Sequence, residues 1–372
     1  MAGSAALIYL DAAATSLQKP PSVARAVAWS IGACASVGRG GHAAAERAAQ
    51  VTYACRTELA GLFDCEPEQV VFTMNATHGL NLAIASVVPK GGRVLISHFE
   101  HNAVTRPLHA RHAEIRHFGT LFDDPATLEA FRRGLETKPD AVVCTHVSNV
   151  FGYILPIGQI AALCREADVP LVIDASQSAG TLPLSLRETG AAFVACPGHK
   201  GLLGPQGTGV LLCAHAARPL LFGGTGSLSE SQEMPPFLPD RLEAGTHNVC
   251  GLAGLLEGVS YVRRSGTERL LAHEQALLRA AVQGIEAQGL ARVFRGAPQS
   301  GVLSVVPKTV DCEEAAQRLT DAGIAVRAGL HCAPTAHRAA GTLQTGTLRL
   351  SFSPFNTMQE IRHFLNVTKK LF

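Results

Sequence analysis

Between residues 70 and 215 the sequence alternates short, almost continuous apolar runs with longer segments of helical periodicity. The apolar runs are rich in Val, Ile and Leu, as expected of strands that are covered on both faces. This alternation predicts a mostly parallel sheet with right-handed crossovers, the doubly wound α/β architecture. The predicted strands are VVFTM (70–74), RVLIS (93–97), AVVCTHV (141–147), PLVIDA (170–175) and GVLLCA (209–214), and helices between them include NATHGLNLAIASVV and IGQIAALCREAD.

Beyond about residue 250 the order of elements changes, which predicts a smaller α+β domain. A chain of 372 residues is longer than a single hydrophobic core usually accommodates, so we expect two domains. Residues 16–248 are expected to form the large α/β domain, and residues 1–15 pack with 249–372 in the small one. Segment 223–248 is rich in Gly and Pro and predicts a long ordered loop with a functional role. The predicted elements of the second part are helices VCGLAGLLEGVSYVRR and TERLLAHEQALLRAAVQGIEAQG, strands ARVFRG and GVLSVVP, helix CEEAAQRLTDAG, strands IAVRAG and TLRLSFSP, and helix TMQEIRHFLNVTKKLF.

Composition excludes several classes of protein. Hydrophobic residues make up 47% of the chain and charged residues only 17%, the reverse of a disordered sequence. The formal net charge is +2 with the basic residues dispersed, which argues against a nucleic-acid surface. No apolar run approaches the roughly 18 residues of a membrane span, and the opening MAGSAALIYLDAAATS lacks the charged start of a secretory signal. A cytoplasmic protein is therefore expected.

The chain contains ten cysteines, none of them in a C-x-x-C pair, so neither a zinc ribbon nor a redox dithiol is indicated. In a reducing compartment most of them are expected to be small buried hydrophobic residues. Cys332 is the exception, because it lies in a Gly- and Pro-flanked segment, RAGLHCAPTAHRAAGTLQTG.

Three segments carry polar side chains at the ends of predicted strands, where ligands of doubly wound sheets collect. Asp174 ends the apolar run of VIDASQSAG, although taken alone it is equally well a turn or cap aspartate. Lys200 follows in CPGHKGLLGPQGTG, among glycines that let the backbone approach a ligand. In TMNATHGLN, Asn75 is a candidate N-cap, and Thr77 and His78 lie in the first helical turn, where free N–H groups favour an anion. Together the three segments indicate one functional site.

These segments belong to an ordered set that extends from about residue 7 to residue 371. The set resembles the cysteine desulfurase and selenocysteine lyase branch of the class-V aminotransferase-fold enzymes. Its short R-x-G-x-H-C-A loop is similar to that of the second desulfurase subgroup. The motifs are IYLDAAATS, GRGGHAAAERA, FTMNATHGLNLA, HFEHNAVTRPL, HVSNVFGYILPI, VIDASQSAG, GHKGLLGPQGTG, RLEAGTHN, RAGLHCAP and LRLSFSPFNT.

The resemblance implies a pyridoxal 5′-phosphate enzyme of fold type I, with a mostly parallel, seven-stranded sheet in its large domain. It implies that Lys200 bonds to the cofactor aldehyde and that Asp174 accepts a hydrogen bond from the pyridinium nitrogen, which keeps the ring an electron sink. Lys200, Cys332 and His101 are the implied catalytic residues. The other implied contacts are Gln177 at the phenolic oxygen, His101 on the ring face, Ala76, Thr77 and His199 at the phosphate, Thr246 at the phosphate from a neighbouring subunit, and Arg349 with Asn149 at the substrate carboxylate.

Cys332 distinguishes desulfurases from other enzymes of the fold, because a transaminase moves protons with a lysine and needs no cysteine. Removal of sulfur requires a thiolate that accepts it, so we expect Cys332 on a loop that swings over the substrate. A thiol with an ordinary pKa of about 8.5 is a weak nucleophile at neutral pH unless cations lie nearby. Arg327 and His331 are expected to supply that positive field beside the substrate.

Two positions depart from the family pattern. Pro197 stands where Ser or Thr commonly precedes G-H-K, and His247 replaces the proline of A-G-T-P-N. Both changes touch the phosphate end, so cofactor affinity is expected to be lowered or to be compensated by the additional His78. His98 and His101 have the i, i+3 spacing of a metal pair, but no third ligand is near them in the sequence, and no metal is expected.

The function expected from the resemblance is removal of sulfur from L-cysteine, which leaves L-alanine and a persulfide on Cys332 that passes to an acceptor protein. A homodimer is implied, with neither nucleic acid nor membrane as partner. Three alternatives stay open: a selenocysteine lyase in which Cys332 donates a proton, another class-V transaminase or β-lyase, and an inactive sulfur-transfer partner. The joint presence of Lys200, Asp174, His101 and Arg349 argues against the last. The sequence does not distinguish cysteine from selenocysteine as the substrate.

Overall fold

The computed structural model describes residues 7–38 and 40–371. Residues 1–6 of the predicted N-terminal segment, Arg39 of the GRGGHAAAERA motif and Phe372 of the last predicted helix lie outside the described residues. Within the described part of the chain, no helix is both long enough and apolar enough to cross a bilayer.

Helices and strands alternate along most of the chain, as the apolar pattern predicts. The helices are α1 (Pro21–Ala33), α2 (Ala43–Phe63), α3 (Ala76–Val87), α4 (Asn102–Ala110), α5 (Asp124–Leu135), α6 (Ile157–Glu166), α7 (Leu186–Thr189), α8 (Val249–Ser265), α9 (Thr267–Gln288), α10 (Cys312–Asp321), α11 (Pro334–Ala340) and α12 (Met358–Leu371). The strands are β1 (Ile8–Tyr9), β2 (Val70–Thr73), β3 (Arg93–Ser97), β4 (Glu114–Phe118), β5 (Ala141–Thr145), β6 (Leu171–Asp174), β7 (Phe193–Pro197), β8 (Gly209–Cys213), β9 (Ala291–Phe294), β10 (Val302–Pro307), β11 (Ile324–Ala325), β12 (Arg327–Gly329) and β13 (Thr347–Ser351).

The central sheet has seven strands in the order β2, β8, β7, β6, β5, β3, β4. Strand β8 runs antiparallel to both of its neighbours, and all other neighbouring strands pair in parallel. The predicted mostly parallel seven-stranded sheet is therefore confirmed. The apolar pattern gives no signal for β4, because this edge strand reads EIRHF and is largely exposed. Polar and charged residues are typical of sheet edges, where they oppose pairing with other chains.

Helices cover both faces of the central sheet. Val142 packs into one apolar cluster with Phe131 and Ile160, whereas the next residue, Val143, packs into a second cluster with Ile84. Consecutive side chains of a strand point to opposite faces, so two clusters on one strand mean that both faces are buried. The continuous apolar runs of the sequence follow from this three-layer arrangement.

A smaller antiparallel sheet has the strand order β12, β13, β10, β9. Its apolar cluster includes Leu277 of α9, Leu303 of β10 and Ile361 of α12. The N-terminal strand β1 pairs in parallel with β11, next to this sheet. Helix α8 packs against α1 and α2, so it rests on the part of the chain that precedes residue 248. The division into 16–248 and 1–15 with 249–372 stays a prediction.

Candidate active site

A cavity of about 510 Å³ lies at the carboxyl ends of β5, β6 and β7. This is the edge at which ligands of doubly wound sheets bind. The starts of α3 and α4 complete its walls, so segments far apart in sequence meet there. The predicted site residues that line it are Ala76, Thr77, His101, Asn149, Asp174, Gln177, His199 and Lys200.

Asp174 is the last residue of β6 and is almost completely buried. Its Oδ1 accepts hydrogen bonds from the backbone N–H and the hydroxyl of Ser176, with 2.9 Å to the backbone nitrogen. Its Oδ2 has no hydrogen-bond partner among the described residues. Asp174 lines the cavity, so this oxygen is available to accept a hydrogen bond from a ligand.

Lys200 lines the same cavity as Asp174. The pKa of the Lys200 amine is lowered to about 8, mainly by burial and in part by the positive charge of Arg349, whereas Asp174 opposes the shift. A lysine with this pKa has a sizeable neutral fraction near neutral pH, which an amine needs in order to act as a nucleophile or a base.

The start of α3 forms one end of the cavity. Asn75 caps the helix, and its side chain accepts a hydrogen bond from the backbone N–H of His78 at 2.9 Å. The N–H groups of Ala76 and Thr77 have no partner within the helix, and both residues line the cavity, so they suit an anionic group. Burial lowers the pKa of the neighbouring His199 to about 4, so its imidazole is neutral near pH 7.

His101 caps α4, and its Nδ1 accepts a hydrogen bond from the backbone N–H of Ala103 at 3.0 Å. The preceding residue, Glu100, is not among the predicted site residues, yet it is completely buried. Oε1 of Glu100 accepts from the backbone N–H of Thr145 at 2.7 Å and from the hydroxyl of Ser97, so it ties α4 to the end of β5. Its position inside HFEHN, next to a site histidine, is the signal that could have identified it.

Arg349 of β13 is almost completely buried; it does not line the cavity itself but contacts Asn149, which does. Its guanidinium forms an ion pair with Asp11 at 2.7 Å and donates to the backbone carbonyl of Asn149 at 3.0 Å. The Nε–H of Arg349 is buried without a partner among the described residues. A carboxylate that reached this nitrogen would satisfy it, which supports the predicted substrate clamp. Asp11 lies in the IYLDAAATS motif, but the sequence gives it no role.

The segment with Cys332 connects β12 to α11. Cys332 is exposed, and both His331 and Cys332 have left-handed backbone conformations, with φ of 48° and 57°. The side-chain amide of Asn149 donates to the carbonyl of His331 at 2.7 Å, and the backbone N–H of Asn102 donates to the carbonyl of Cys332 at 2.7 Å. These bonds tie the segment to the cavity wall, and movement of Cys332 over the substrate stays a prediction.

The prediction that His331 supplies positive charge is wrong. Its imidazole is buried, and its Nε2 lies 3.1 Å from the backbone carbonyl of Thr347. Burial lowers the pKa of His331 to about 3, and the positive charge of Arg349 contributes to the shift, so the ring is neutral. Arg327 of β12 is exposed, and of the two predicted cations only Arg327 is charged.

His98 and His101 do not face one site. The ring of His98 stacks on that of His117 at 5.2 Å and lines a surface pocket with Arg338, whereas His101 lines the cavity described above. Within the described residues, no group of three or more His, Cys, Asp or Glu side chains is arranged to hold a metal ion.

Comparison with known proteins agrees with this geometry. The family model of class-V aminotransferases matches residues 8–364. The chain belongs to the class-V aminotransferase family. A probable cysteine desulfurase 2 of Mycobacterium leprae is 32% identical over 97% of this chain and 90% of the relative. A probable cysteine desulfurase of Methanothermobacter thermautotrophicus is 30% identical over 95% of this chain and 92% of the relative. Among solved structures, the apo cysteine desulfurase of Thermococcus onnurineus has a TM-score of 0.90 and 27% identity, and the match covers 98% of this chain and 94% of that one.

Both departures from the pattern of the class-V aminotransferase family lie near the start of α3. Pro197 lines the cavity but offers neither a hydroxyl nor an N–H group. Thr246 does not line this cavity; it lies beside an adjacent one, together with His78 and Met74. Compensation for the missing hydroxyl by His78 stays a prediction. His247 lies next to Thr246, with its Nε2 2.6 Å from the carboxylate of Glu243.

Proposed function

We propose that this class-V aminotransferase family member is a pyridoxal-phosphate-dependent cysteine desulfurase. It takes sulfur from L-cysteine, releases L-alanine and keeps the sulfur as a persulfide on Cys332. The observation that carries the proposal is that Lys200 and Asp174 line one cavity. Asn149 lines the same cavity and donates a hydrogen bond to the segment that contains the exposed Cys332. The full-length likeness to cysteine desulfurases supports it.

The residues of the cavity suit the chemical groups of pyridoxal phosphate. Lys200 would bond to its aldehyde, and the unpartnered Oδ2 of Asp174 would accept from its ring nitrogen. The free N–H groups of Ala76 and Thr77 would hold its phosphate, and the imidazole of His101 would lie against the ring. When bound, this cofactor withdraws electrons from the Cα atom of an attached amino acid.

Three residues perform the steps that belong to the protein itself. Arg349 holds the carboxylate of cysteine, which fixes the position of its Cα and sulfur atoms. The amine of Lys200 takes the Cα proton, since its pKa of about 8 suits a base near neutral pH. The thiolate of Cys332 then attacks the substrate sulfur.

Attack by Cys332 breaks the bond between Cβ and sulfur and forms a sulfur–sulfur bond. The electron pair of the broken bond stays with the carbon fragment, which takes up protons at Cβ and Cα and leaves as alanine. The substrate sulfur is oxidised to the persulfide level, and the carbon is reduced. A thiol reductant or an acceptor protein with a cysteine then removes the terminal sulfur.

Replacing Cys332 by Ala tests the proposal. We expect C332A to retain the visible absorbance of bound cofactor, because the residues that hold the cofactor are untouched, and to lose sulfide release by about 100-fold or more. Alanine and sulfide are measured with L-cysteine and a thiol reductant. Parallel assays with L-selenocysteine identify a selenocysteine lyase, and pyruvate or a keto acid as product identifies a β-lyase or a transaminase.

Cys34 provides the control for this substitution, because it is half-buried and does not line the cavity. C34A is expected to match the unmodified protein in both absorbance and sulfide release. Replacing Lys200 by Ala is expected to abolish the visible absorbance. Full sulfide release by C332A would rule out Cys332 as the sulfur acceptor.

A further inference from the structure

The surface pocket that His98 and His117 line, here called the basic groove, takes no part in the site described above. It encloses about 860 Å³ and is open to solvent. One wall belongs to α11, and the other is formed where β3 and β4 end. The side chains that matter here are His98, His117, Thr335 and Arg338.

Two connections place the basic groove next to Cys332. Thr335 and Arg338 lie on α11, the helix that begins two residues after the cysteine. His98 lies in the turn that leads to Asn102, and the backbone N–H of Asn102 donates to the carbonyl of Cys332 at 2.7 Å. A molecule seated in the groove therefore contacts the segments that support an exposed thiol.

The electrostatic character of the groove is positive. No acidic side chain lines it among the described residues. Arg338 is exposed, and its guanidinium makes no hydrogen bond or ion pair with the described part of the chain. The pKa of the His98 and His117 imidazoles is lowered, mainly by burial and in part by the positive charge of Arg338, and no neighbouring carboxylate opposes the shift.

Hydrogen-bond donors of the groove are also without partners. The hydroxyl of Thr335 is buried and has no hydrogen bond within the described chain. The rings of His98 and His117 stack at 5.2 Å, and neither ring forms a hydrogen bond with the described residues. A guanidinium binds a carboxylate through two parallel hydrogen bonds, and a hydroxyl or an imidazole N–H adds a further donor. These groups together suit the carboxylate of an acidic side chain.

We propose that the basic groove is the docking site for an acidic segment of the protein that accepts sulfur from Cys332. This inference rests on the proposed function, in which Cys332 holds the sulfur. A thiolate of the acceptor attacks the outer sulfur of the persulfide, the sulfur–sulfur bond breaks, and Cys332 leaves as a thiolate. One persulfide is lost and one is formed, so the transfer consumes neither oxidant nor reductant. A protein rather than a free anion is favoured, because the groove and the thiol share their supporting segments.

Activated peptides test the docking site without any reaction at the cofactor. The holoenzyme reacts with synthetic peptides whose single cysteine carries a thiopyridyl group, and the thiolate of Cys332 displaces thiopyridone as a mixed disulfide forms. Aspartates flank the cysteine in one peptide, asparagines in the second and lysines in the third. Chromatography measures each rate, which is divided by the rate of the same peptide with free cysteine, and C332A gives the background.

We expect the aspartate peptide to react faster than the asparagine peptide by about tenfold at low salt, and the lysine peptide to react most slowly. High salt should remove these differences, because it screens charges at an exposed surface.

Charge reversal in the groove identifies the source of the preference. R338E is expected to reduce the preference for the aspartate peptide over the lysine peptide by about tenfold, by slowing the first reaction and speeding the second. The faster reaction of the lysine peptide excludes misfolding as the cause. H117E makes the change on the opposite wall and should act in the same direction. The control R362E lies on an exposed part of α12 and should keep the original order. If R338E and H117E also keep it, the proposal is overturned.

Other outcomes separate the occupant from the function. Succinate or a short single-stranded RNA that abolishes the preference at the concentration of the peptide would assign the groove to a free anion or a nucleic acid and overturn the proposal. If the preference holds but the protein releases no sulfur from L-cysteine, the acidic docking surface stands and the proposed function fails. If sulfur is released and the three peptides react equally fast, the function stands and the groove is not a docking site.

Discussion

At the scale of single residues, burial decides which side chains of the site are charged. It lowers the pKa of His199 to about 4 and that of His331 to about 3, so both imidazoles are neutral at physiological pH. It raises the pKa of Glu100 to about 8, so this acid holds a proton while it connects α4 to β5. The positive charges that act on the site residues therefore come from lysine and arginine side chains, among them Arg349 and Arg327, and they suit the site for a phosphate and a carboxylate.

The altered acidity of Lys200 predicts how this residue reacts without cofactor. In the cofactor-free protein, modification of Lys200 by an amine-specific reagent should rise with pH and reach its midpoint near pH 8, because only the neutral amine reacts. Peptide mass spectrometry measures the extent of modification at this position. Since Asp174 raises the pKa of Lys200, D174N should move the midpoint to lower pH. A midpoint near pH 10 in both proteins would show that burial does not lower the pKa of Lys200.

At the scale of elements, a buried ion pair holds the segment that carries Thr246. The guanidinium of Arg56 on α2 pairs with the carboxylate of Glu243, which also accepts from the backbone N–H of Phe72 at 2.6 Å and bonds to His247. Arg56 lies over the ring of Phe72 at 4.3 Å. His247, which departs from the family pattern, therefore anchors this segment through a hydrogen bond that proline cannot make.

Removing one member of this network should destabilise the fold. We expect E243A to lower the free energy of unfolding by about 3–5 kcal/mol, because it leaves the charge of Arg56 buried without a partner. Urea denaturation measures the change. The control E114A breaks an exposed pair with Arg116, at 3.9 Å, and should cost less than about 1 kcal/mol. Equal effects of the two substitutions would show that the buried pair has no special role.

At the scale of the whole molecule, apolar side chains remain exposed around Thr246. Met74 is 57% exposed, Leu221 51% and Phe222 77%. Met74, Leu221 and Thr246 line one surface cavity. Exposed apolar patches commonly mark interfaces, and a second copy of this chain is the partner that the family resemblance implies. We expect a homodimer in which Thr246 approaches the cofactor cavity of the partner subunit.

Charge placed in this patch should separate the subunits. F222E is expected to shift the protein from dimer to monomer, because a dimer would bury the carboxylate without a partner. Analytical ultracentrifugation measures the change, and the cofactor content of the purified protein measures its effect on the site. I31E introduces the same charge at an exposed apolar residue of α1 and serves as the comparison. A monomeric unmodified protein that retains its cofactor would contradict the expected dimer.

The order and type of most elements could be predicted from the sequence alone. Strands such as β3 and β5 are buried on both faces, so their apolar runs are continuous and stand out from the helices between them. Asp174 and Lys200 were also predictable as site residues, since parallel strands bring their carboxyl ends to one edge of a sheet. The local sequence carries these features because each depends on residues close together in the chain.

Only the tertiary structure decides the partners and the charge states of the site. Arg349 pairs with Asp11, which lies 338 residues away in the sequence. His331 is neutral and Glu100 is protonated because of burial that no local pattern reveals. The free energy of a charge depends on the solvent and the groups around it in space. Periodicity therefore predicts where strands and helices form, and the assembled fold determines which of their side chains can bind, ionise or transfer a proton.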